Sequence, residues 1–278
     1  MLKKLLVCLG LLMFSLLLVV GCGNGGDGGA DDVAPPADAA APTNDGYNGD
    51  DAPANTYNDG TYTAVSANAN ARGYAEVTLT IANDEITDVS MVEYDGFGNI
   101  KDYEAYGREG VFDGSNLQAA HEALAAAMVA NNTYDVDAVS GATSTSDKTM
   151  SAAGLAMEKA LIEPASNNTY FDGTFFAISD QDGRGNFVIA LVTIENDVIV
   201  DVALSEATET EEGISLKDYE DYGQEGVFDG STLQAAHEAL AAAMIENNTY
   251  DVDVVSGATS TSEKVVVAGE RALEAAKR

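Results

Sequence analysis

The sequence predicts an α+β protein made of two tandem copies of one small domain, each an antiparallel sheet followed by helices. The first observation is an internal repeat, because residues 101–146 and 217–262 are identical at 40 of 46 positions. The second is an alternation of apolar and polar residues before each block, which is typical of half-buried strands. The third is helical spacing of apolar residues within and after the block. We place the two copies at residues 58–163 and 170–278, joined by a linker at 164–169.

Strands are predicted at the start of each copy, after the Asp-Gly-Thr-aromatic sequences at Asp59 and Asp172. Val77, Leu79 and Ile81 alternate with polar residues, and Asn83-Asp84 then favours a tight turn into a second strand. Residues 187–194 and 198–204 repeat this pattern. The two openings are 113 residues apart but the identical blocks are 116 apart, so the second copy has gained three residues, near 181–185 or 209–213.

Two helices are predicted to follow the strands. The first starts at a capping box, Ser115 or Ser231, and ends at the Asn pairs 131–132 and 247–248. Its apolar face includes a histidine, His121 or His237, which we interpret as a core residue rather than a ligand. That face carries Leu117, His121, Leu124 and Met128 in the first copy, and Leu233, His237, Leu240 and Met244 in the second.

The last helix is predicted to start at the Ser-Gly-Ala-Thr-Ser-Thr-Ser segment, with Ser144 and Ser260 as N-caps. It runs to about Ile162 in the first copy and to the C-terminus in the second.

The N-terminus resembles a bacterial lipoprotein signal. Lys3 and Lys4 precede an apolar run at residues 5–20 that is too short for a spanning helix, and Val-Val-Gly-Cys22 resembles a lipobox. We therefore expect residues 1–21 to be a signal peptide, Cys22 to be lipidated, and the chain to lie at the outer face of the cytoplasmic membrane. A plain signal peptide or a signal anchor is the alternative.

Composition restricts the function. Residues 22–57 are mostly Gly, Asn, Asp, Ala and Pro, and are expected to form a disordered acidic tether. The net charge of −33 at pH 7 excludes nucleic-acid binding. Of the 2 cysteines, Cys8 lies in the predicted signal peptide, which leaves no ligands for a disulfide, a Cys-ligated metal or a c-type haem. No metal site and no catalytic set of nucleophile, base and acid is recognisable.

The hydroxyl-rich segment is the candidate functional site in both copies. A glycine there frees the backbone to approach a ligand, and a phosphate on the following threonine would lie at the positive end of a helix dipole. An ordinary helix start rich in Ser and Thr is the alternative. The candidate residues are Ser140, Gly141, Ala142, Thr143 and Thr145 in the first copy, and Ser256, Gly257, Ala258, Thr259 and Thr261 in the second.

The Ser-Gly-Ala-Thr-x-Thr motif, preceded by an acidic stretch and opening a C-terminal helix, resembles the flavinylation motif of the FMN-binding domain family. That family includes the C subunit of the sodium-translocating NADH:quinone reductase and the G subunit of the Rnf complex. The resemblance implies that a flavin transferase of the ApbE type joins the phosphate of FMN to Thr143 and Thr259. Thr145 and Thr261 are the second-choice acceptors, one in each copy.

The resemblance also assigns Asp137 and Asp253 to the family's acidic position, with a role in transferase or metal recognition. Tyr103, Tyr106 and Phe112, in an aromatic and Gly-rich stretch, either wall an isoalloxazine ring or belong to the core.

The resulting hypothesis is a membrane-tethered, extracytoplasmic electron carrier with two covalent FMN groups. It would take electrons from a membrane quinol-oxidising or NADH-linked system and pass them to external acceptors, as a carrier rather than an enzyme with its own substrate. A lipoprotein with structural, cation-binding or other ligand-binding repeats and no redox function is the alternative, and a reductase that uses its own FMN is a third.

Overall fold

The computed structural model describes residues 55–102, 117–219 and 233–278, and these form two repeats of an α+β fold. The first repeat has strands β1 (Gly60–Val65), β2 (Tyr74–Ala82) and β3 (Glu85–Tyr94), then helices α1 (Leu117–Asn131) and α2 (Thr143–Ala160). The second has β4 (Gly173–Ile178), β5 (Asn186–Glu195), β6 (Val198–Thr210), β7 (Gly213–Leu216), α3 (Leu233–Asn247) and α4 (Thr259–Ala275). The predicted order of strands and helices is confirmed. No helix in the described part is long and apolar enough to span a membrane.

Each sheet is an antiparallel meander, in the orders β1-β2-β3 and β4-β5-β6-β7. Along β2, the predicted Val77, Leu79 and Ile81 are buried and the residues between them are partly exposed, so one face of the sheet packs inward. Asn83 and Asp84 have φ values of 53° and 62°. Positive φ at both positions is what a two-residue hairpin turn requires, and it confirms the predicted turn.

The three additional residues of the second repeat lie at the end of β6, the second of the two positions predicted. Upstream, Ser66 donates its amide to Ala75 and Ser179 donates to Val188, so nine residues separate the partners in both repeats and nothing is inserted near 181–185. At the other position, β6 continues to Thr210 and turns back as β7. The insertion therefore lengthens a hairpin.

Helices α1 and α3 bury the predicted face, including both histidines. Each ends at an asparagine with positive φ, 51° at Asn132 and 52° at Asn248. The Asn132 side chain accepts from the Ile86 amide at 2.8 Å and donates to the Asp84 carbonyl at 3.0 Å. This residue therefore ties the end of α1 to the β2–β3 turn. The predicted caps Ser115 and Ser231 lie outside the described residues.

The two repeats pack directly on each other. The Thr174 amide donates to the Ala67 carbonyl at 2.7 Å, and the Ala69 amide donates to the Thr174 carbonyl at 3.1 Å. Tyr74 stacks between Tyr94 and Phe176, with ring centroids 4.5 and 5.2 Å away. The second repeat thus contributes a strand end and an aromatic side chain to an apolar cluster shared with the first.

Two apolar residues at the joint between the repeats have polar equivalents in the other repeat. Leu155 of α2 packs in the cores of both repeats, whereas the equivalent Arg271 of α4 is exposed and pairs with Asp180. Phe176 is buried, whereas the equivalent Thr63 is exposed and shares a 2.8 Å hydrogen bond with Thr78. At both of these positions, the apolar residue of the joint between the repeats is polar in the other repeat.

Asn132 gives a test of how the helix end supports the sheet. We expect Asn132→Ala to lower the free energy of unfolding by about 2 kcal/mol, because it leaves the Ile86 amide without its acceptor and places an alanine at positive φ. Chemical denaturation followed by circular dichroism measures this. The exposed neighbour Asn131→Ala is the control and should leave the midpoint unchanged or slightly higher. Equal effects of the two substitutions would contradict this role.

Candidate functional site

The hydroxyl-rich segment forms a tight turn that leads into the last helix of each repeat. Helices α2 and α4 begin at Thr143 and Thr259, and their N-caps are Ala142 and Ala258, which make no side-chain capping bond. The prediction of Ser144 and Ser260 as N-caps is therefore wrong. Both serines lie in the first helical turn and are exposed. The threonines are the first helical residues rather than residues outside the helix.

A serine further along the motif holds the turn in place of a cap. The Ser146 hydroxyl accepts from the Val139 amide at 3.0 Å and donates to the Ala142 carbonyl at 3.0 Å. Val139 also accepts from the Ala142 amide at 3.0 Å, around Gly141 at φ 79°. A side chain that bonds back four residues competes with normal capping, which explains the shifted helix start.

The second repeat reproduces this turn. Ser262 bonds to the Val255 amide at 3.1 Å and the Ala258 carbonyl at 2.9 Å, with Gly257 at φ 80°. Ser146 and Ser262 are not among the residues predicted above, although a serine four residues after the turn is a visible signal.

The two threonines of each motif differ in accessibility. Thr145 is 6% exposed and its hydroxyl donates to Glu93 Oε2 at 2.8 Å. Thr261 donates in the same way to Glu206 Oε2 at 3.0 Å. Thr143 and Thr259 are exposed. The outer threonine of each motif is therefore the more accessible of the two.

The other predicted residues lie on the same turn. Ser140, Gly141, Ser256 and Gly257 are exposed, and Ala142 and Ala258 are half-buried beneath them. Asp137 and Asp253 are exposed on the segment that precedes the turn. The fold thus gathers each predicted set at one surface. Tyr103, Tyr106 and Phe112 lie outside the described residues.

A buried charged cluster, which no sequence pattern predicted, lies under the turn of the first repeat. Glu93, at the end of β3, is 1% exposed and bonds to Lys101 and to Thr145. Burial raises the pKa of this carboxyl, but His121, Lys101 and Thr145 favour the carboxylate more strongly and hold its pKa at about 2. We call Glu93, Lys101, Thr145 and Lys148 the acid–lysine cluster of the first repeat.

The acid–lysine cluster of the second repeat, Glu206, Lys217, Thr261 and Lys264, has an additional carboxylate. Lys264 Nζ lies 2.7 Å from Glu206 and 3.3 Å from Asp182. Ala69 occupies the position equivalent to Asp182 in the first repeat. There, Lys148 is 1% exposed, and its Nζ has no hydrogen-bond partner within the part of the chain that the structure describes.

A groove lies between the sheet and the first helix of each repeat. The first has a volume of about 210 Å³ and is lined by Val89, Met91, His121 and Ala125 among others. His121 Nε2 lies 3.8 Å from Glu93 Oε2, the same oxygen that accepts the Thr145 hydrogen bond. The Glu93 carboxylate therefore connects the turn to a histidine that lines the groove.

The groove of the second repeat has a volume of about 190 Å³ and is lined by Val202, Leu204, Tyr219 and His237 among others. The Tyr219 hydroxyl donates to the Leu204 carbonyl at 2.9 Å and lies 2.9 Å from His237 Nδ1. Burial lowers the pKa of His237 to about 4, so its imidazole is neutral at pH 7. Tyr219 is the counterpart of Tyr103.

Comparison with known proteins identifies one family. The family described as the FMN-binding domain matches residues 71–158 and 183–274, segments that each contain a motif and an acid–lysine cluster. Among solved structures, the crystal structure of the CPE2226 protein from Clostridium perfringens is 23% identical, covering 37% of this chain and 88% of that protein, with a TM-score of 0.32. A search of curated proteins finds no match.

Glu93 should make stability depend on pH. Its pKa falls from an ordinary 4.5 to about 2, so it stabilises the fold above about pH 4.5 and loses this effect as the pH falls towards 2. The shift corresponds to about 3 kcal/mol for this buried group. We expect the difference in unfolding free energy between the wild type and Glu93→Gln to shrink by that amount between pH 5.5 and 2. Urea denaturation measures it.

The exposed Glu85→Gln substitution, on the same strand, is the control and should show a small difference at every pH. A difference for Glu93→Gln that stays constant across this range would mean that its carboxylate is not selectively stabilised in the folded state.

Proposed function

Since the chain belongs to the FMN-binding domain family, with one domain in each repeat, we propose that it is an electron carrier that holds two FMN groups covalently. Family membership makes it a flavin-binding protein. The attachment at Thr143 and Thr259 is supported by one observation above the others. In each motif the outer threonine is exposed, whereas the inner one is bonded to a buried glutamate.

The residues around Thr143 suit a phosphate ester. Helix α2 starts without a side-chain cap, so the amides of its first turn point outward without intrahelical acceptors. These amides and the helix dipole favour an anionic group on the first residue. The second repeat offers the same arrangement at Thr259.

The neighbouring grooves suit a flat aromatic ring. Their walls combine aliphatic side chains with a buried histidine, and in the second repeat Tyr219 and a neutral His237 add an aromatic edge. When bound, FMN would supply redox chemistry that no side chain of this protein provides. The chain itself would attach the cofactor, orient it and set the charge around it.

The attachment reaction requires a partner. We infer that a flavin transferase of the ApbE type recognises the exposed turn, with Asp137 and Asp253 beside the acceptor threonines in each repeat. A covalent bond suits a protein outside the cytoplasm, where a dissociable cofactor would be diluted away.

The location proposed for this carrier is the outer face of the cytoplasmic membrane. Cys22 would carry the lipid anchor, and residues 22–57 would act as the tether between the anchor and the repeats. Electrons would come from a membrane quinol-oxidising or NADH-linked system and leave to external acceptors. The net charge of −33 would keep the repeats at a distance from anionic lipid surfaces.

The acceptor assignment is tested by paired substitutions in a host with an exported transferase. Wild-type protein should gain two FMN phosphoester increments in intact mass and fluoresce after denaturing electrophoresis. Thr143→Ala with Thr259→Ala should abolish both signals, whereas Thr143→Ser with Thr259→Ser keeps the hydroxyls and should retain flavin. Thr145→Ala with Thr261→Ala should reduce incorporation less, because it removes only the bonds to Glu93 and Glu206.

FMN on peptides containing only Thr145 or Thr261 would overturn the acceptor assignment while leaving a flavin carrier. Wild-type protein without covalent flavin would overturn the carrier and favour a structural repeat lipoprotein.

Anchoring is tested at Cys22. We expect Cys22→Ser to release the protein into the medium or to leave it unprocessed, because the lipid acceptor is lost. Cell fractionation and N-terminal mass measurement distinguish these results. A variant that stays in the membrane fraction with its N-terminal Met intact would indicate a signal anchor instead.

Expression without secretion should yield colourless protein if the transferase acts outside the cytoplasm.

A further inference from the structure

The acid–lysine clusters of the two repeats differ in net charge. In the second repeat, the carboxylates of Glu206 and Asp182 balance the ammonium groups of Lys217 and Lys264. In the first repeat, Glu93 bonds to Lys101, and Ala69 stands at the position of Asp182. Among the described residues, Lys148 therefore lacks the carboxylate contacts that Lys264 makes in the second repeat.

Lys148 is the group that carries this imbalance. It is 1% exposed, and its Nζ has no hydrogen-bond partner in the described part of the chain. Its pKa is lowered, by burial above all and then by Lys101 and Arg72, while Glu93 opposes the shift. A negative charge arriving nearby would therefore favour its ammonium form and be stabilised in return.

The cluster is close enough to the motif to act on a group bound there. Lys148 follows Thr143 by five residues in the same helix, which is about 7.5 Å along the axis. Glu93 contacts both Thr145 of the motif and His121 of the groove. Glu93 thus links the attachment turn to a histidine that lines the groove.

We propose that Lys148 gives the flavin of the first repeat a higher reduction potential than the flavin of the second, so that electrons within one chain settle on the first repeat. The proposal rests on the proposed function. Reduced flavin is anionic near neutral pH, and a nearby positive charge favours that form. In the exchange, the flavin on Thr259 loses two electrons and a proton, and the flavin on Thr143 gains two electrons and a proton.

Chains with a single flavin test the order of the potentials. Thr259→Ala should leave flavin only on the first repeat, and Thr143→Ala only on the second. Spectroelectrochemical titration should give the first a higher potential by about a tenfold equilibrium factor, which is roughly 30 mV for a two-electron couple. Equal potentials, or the reverse order, would overturn the proposal.

Charge substitutions in these single-flavin chains assign the cause. Lys148→Met should lower the potential of the first repeat, and Asp182→Asn should raise that of the second, so both narrow the gap. Asp180→Asn, at an exposed residue of the same loop that pairs with Arg271, is the matched control and should leave the potential unchanged. No response to Lys148→Met would remove Lys148 as the cause and overturn the proposal.

Protein purified without flavin tests the charge imbalance separately. Lys148→Met should leave the unfolding midpoint unchanged or raise it, because an unpaired buried ammonium is removed. Lys264→Met should lower it, because Glu206 and Asp182 lose their shared partner. Equal losses of the unfolding midpoint in both variants would show that Lys148 is compensated and would overturn the proposal.

Absence of covalent flavin in the wild type would overturn the proposed function and the order of potentials together. Attached flavins of equal potential would overturn the order alone.

Discussion

One buried carboxylate at the end of the third strand organises each repeat. Glu93 is nearly inaccessible to solvent, yet it contacts a lysine that follows the strand, a threonine of α2 and a histidine of α1. Removing a charge from water is favourable only when such partners surround it. The site therefore forms only when the strand, the two helices and the lysine are all in place. In the second repeat, Glu206 contacts two lysines and the equivalent threonine.

The hydroxyl groups of the motif have different roles. Ser146 closes the turn and Thr145 holds the turn to the sheet through Glu93. Those two side chains are already engaged within the protein. Thr143, on the first residue of the helix, remains exposed next to uncapped amides. One hydroxyl among several similar ones can thus be selected because the others are already hydrogen-bonded. Thr143 then needs no special chemical feature.

Local features of the fold could be predicted from the sequence, and features that need distant partners could not. The alternation along β2 and the Asn83-Asp84 turn are set by neighbouring residues, as is the helical face that contains His121. The Ser144 cap failed because Ser146 bonds back into the turn, a competition that a cap motif does not reveal. The acid–lysine cluster joins residues about fifty positions apart, so no local sequence pattern predicts it.

Docking of the repeats decides how the two candidate flavin sites can work together. Main-chain hydrogen bonds between Ala67, Ala69 and Thr174, with Tyr74 stacked on Phe176, join the two sheets through a shared apolar cluster. A joint with buried aromatic contacts and main-chain bonds resists the domain motion that a flexible linker would allow.

Asn68 extends the connection, since its side chain bonds to the Asp147 carbonyl in the first turns of α2 and its backbone pairs with Thr174. The start of the first motif helix is therefore braced against the second repeat. Electron exchange between groups held on two such repeats would occur at a fixed separation, so its direction would be set by the local charges of each site rather than by encounter between mobile domains.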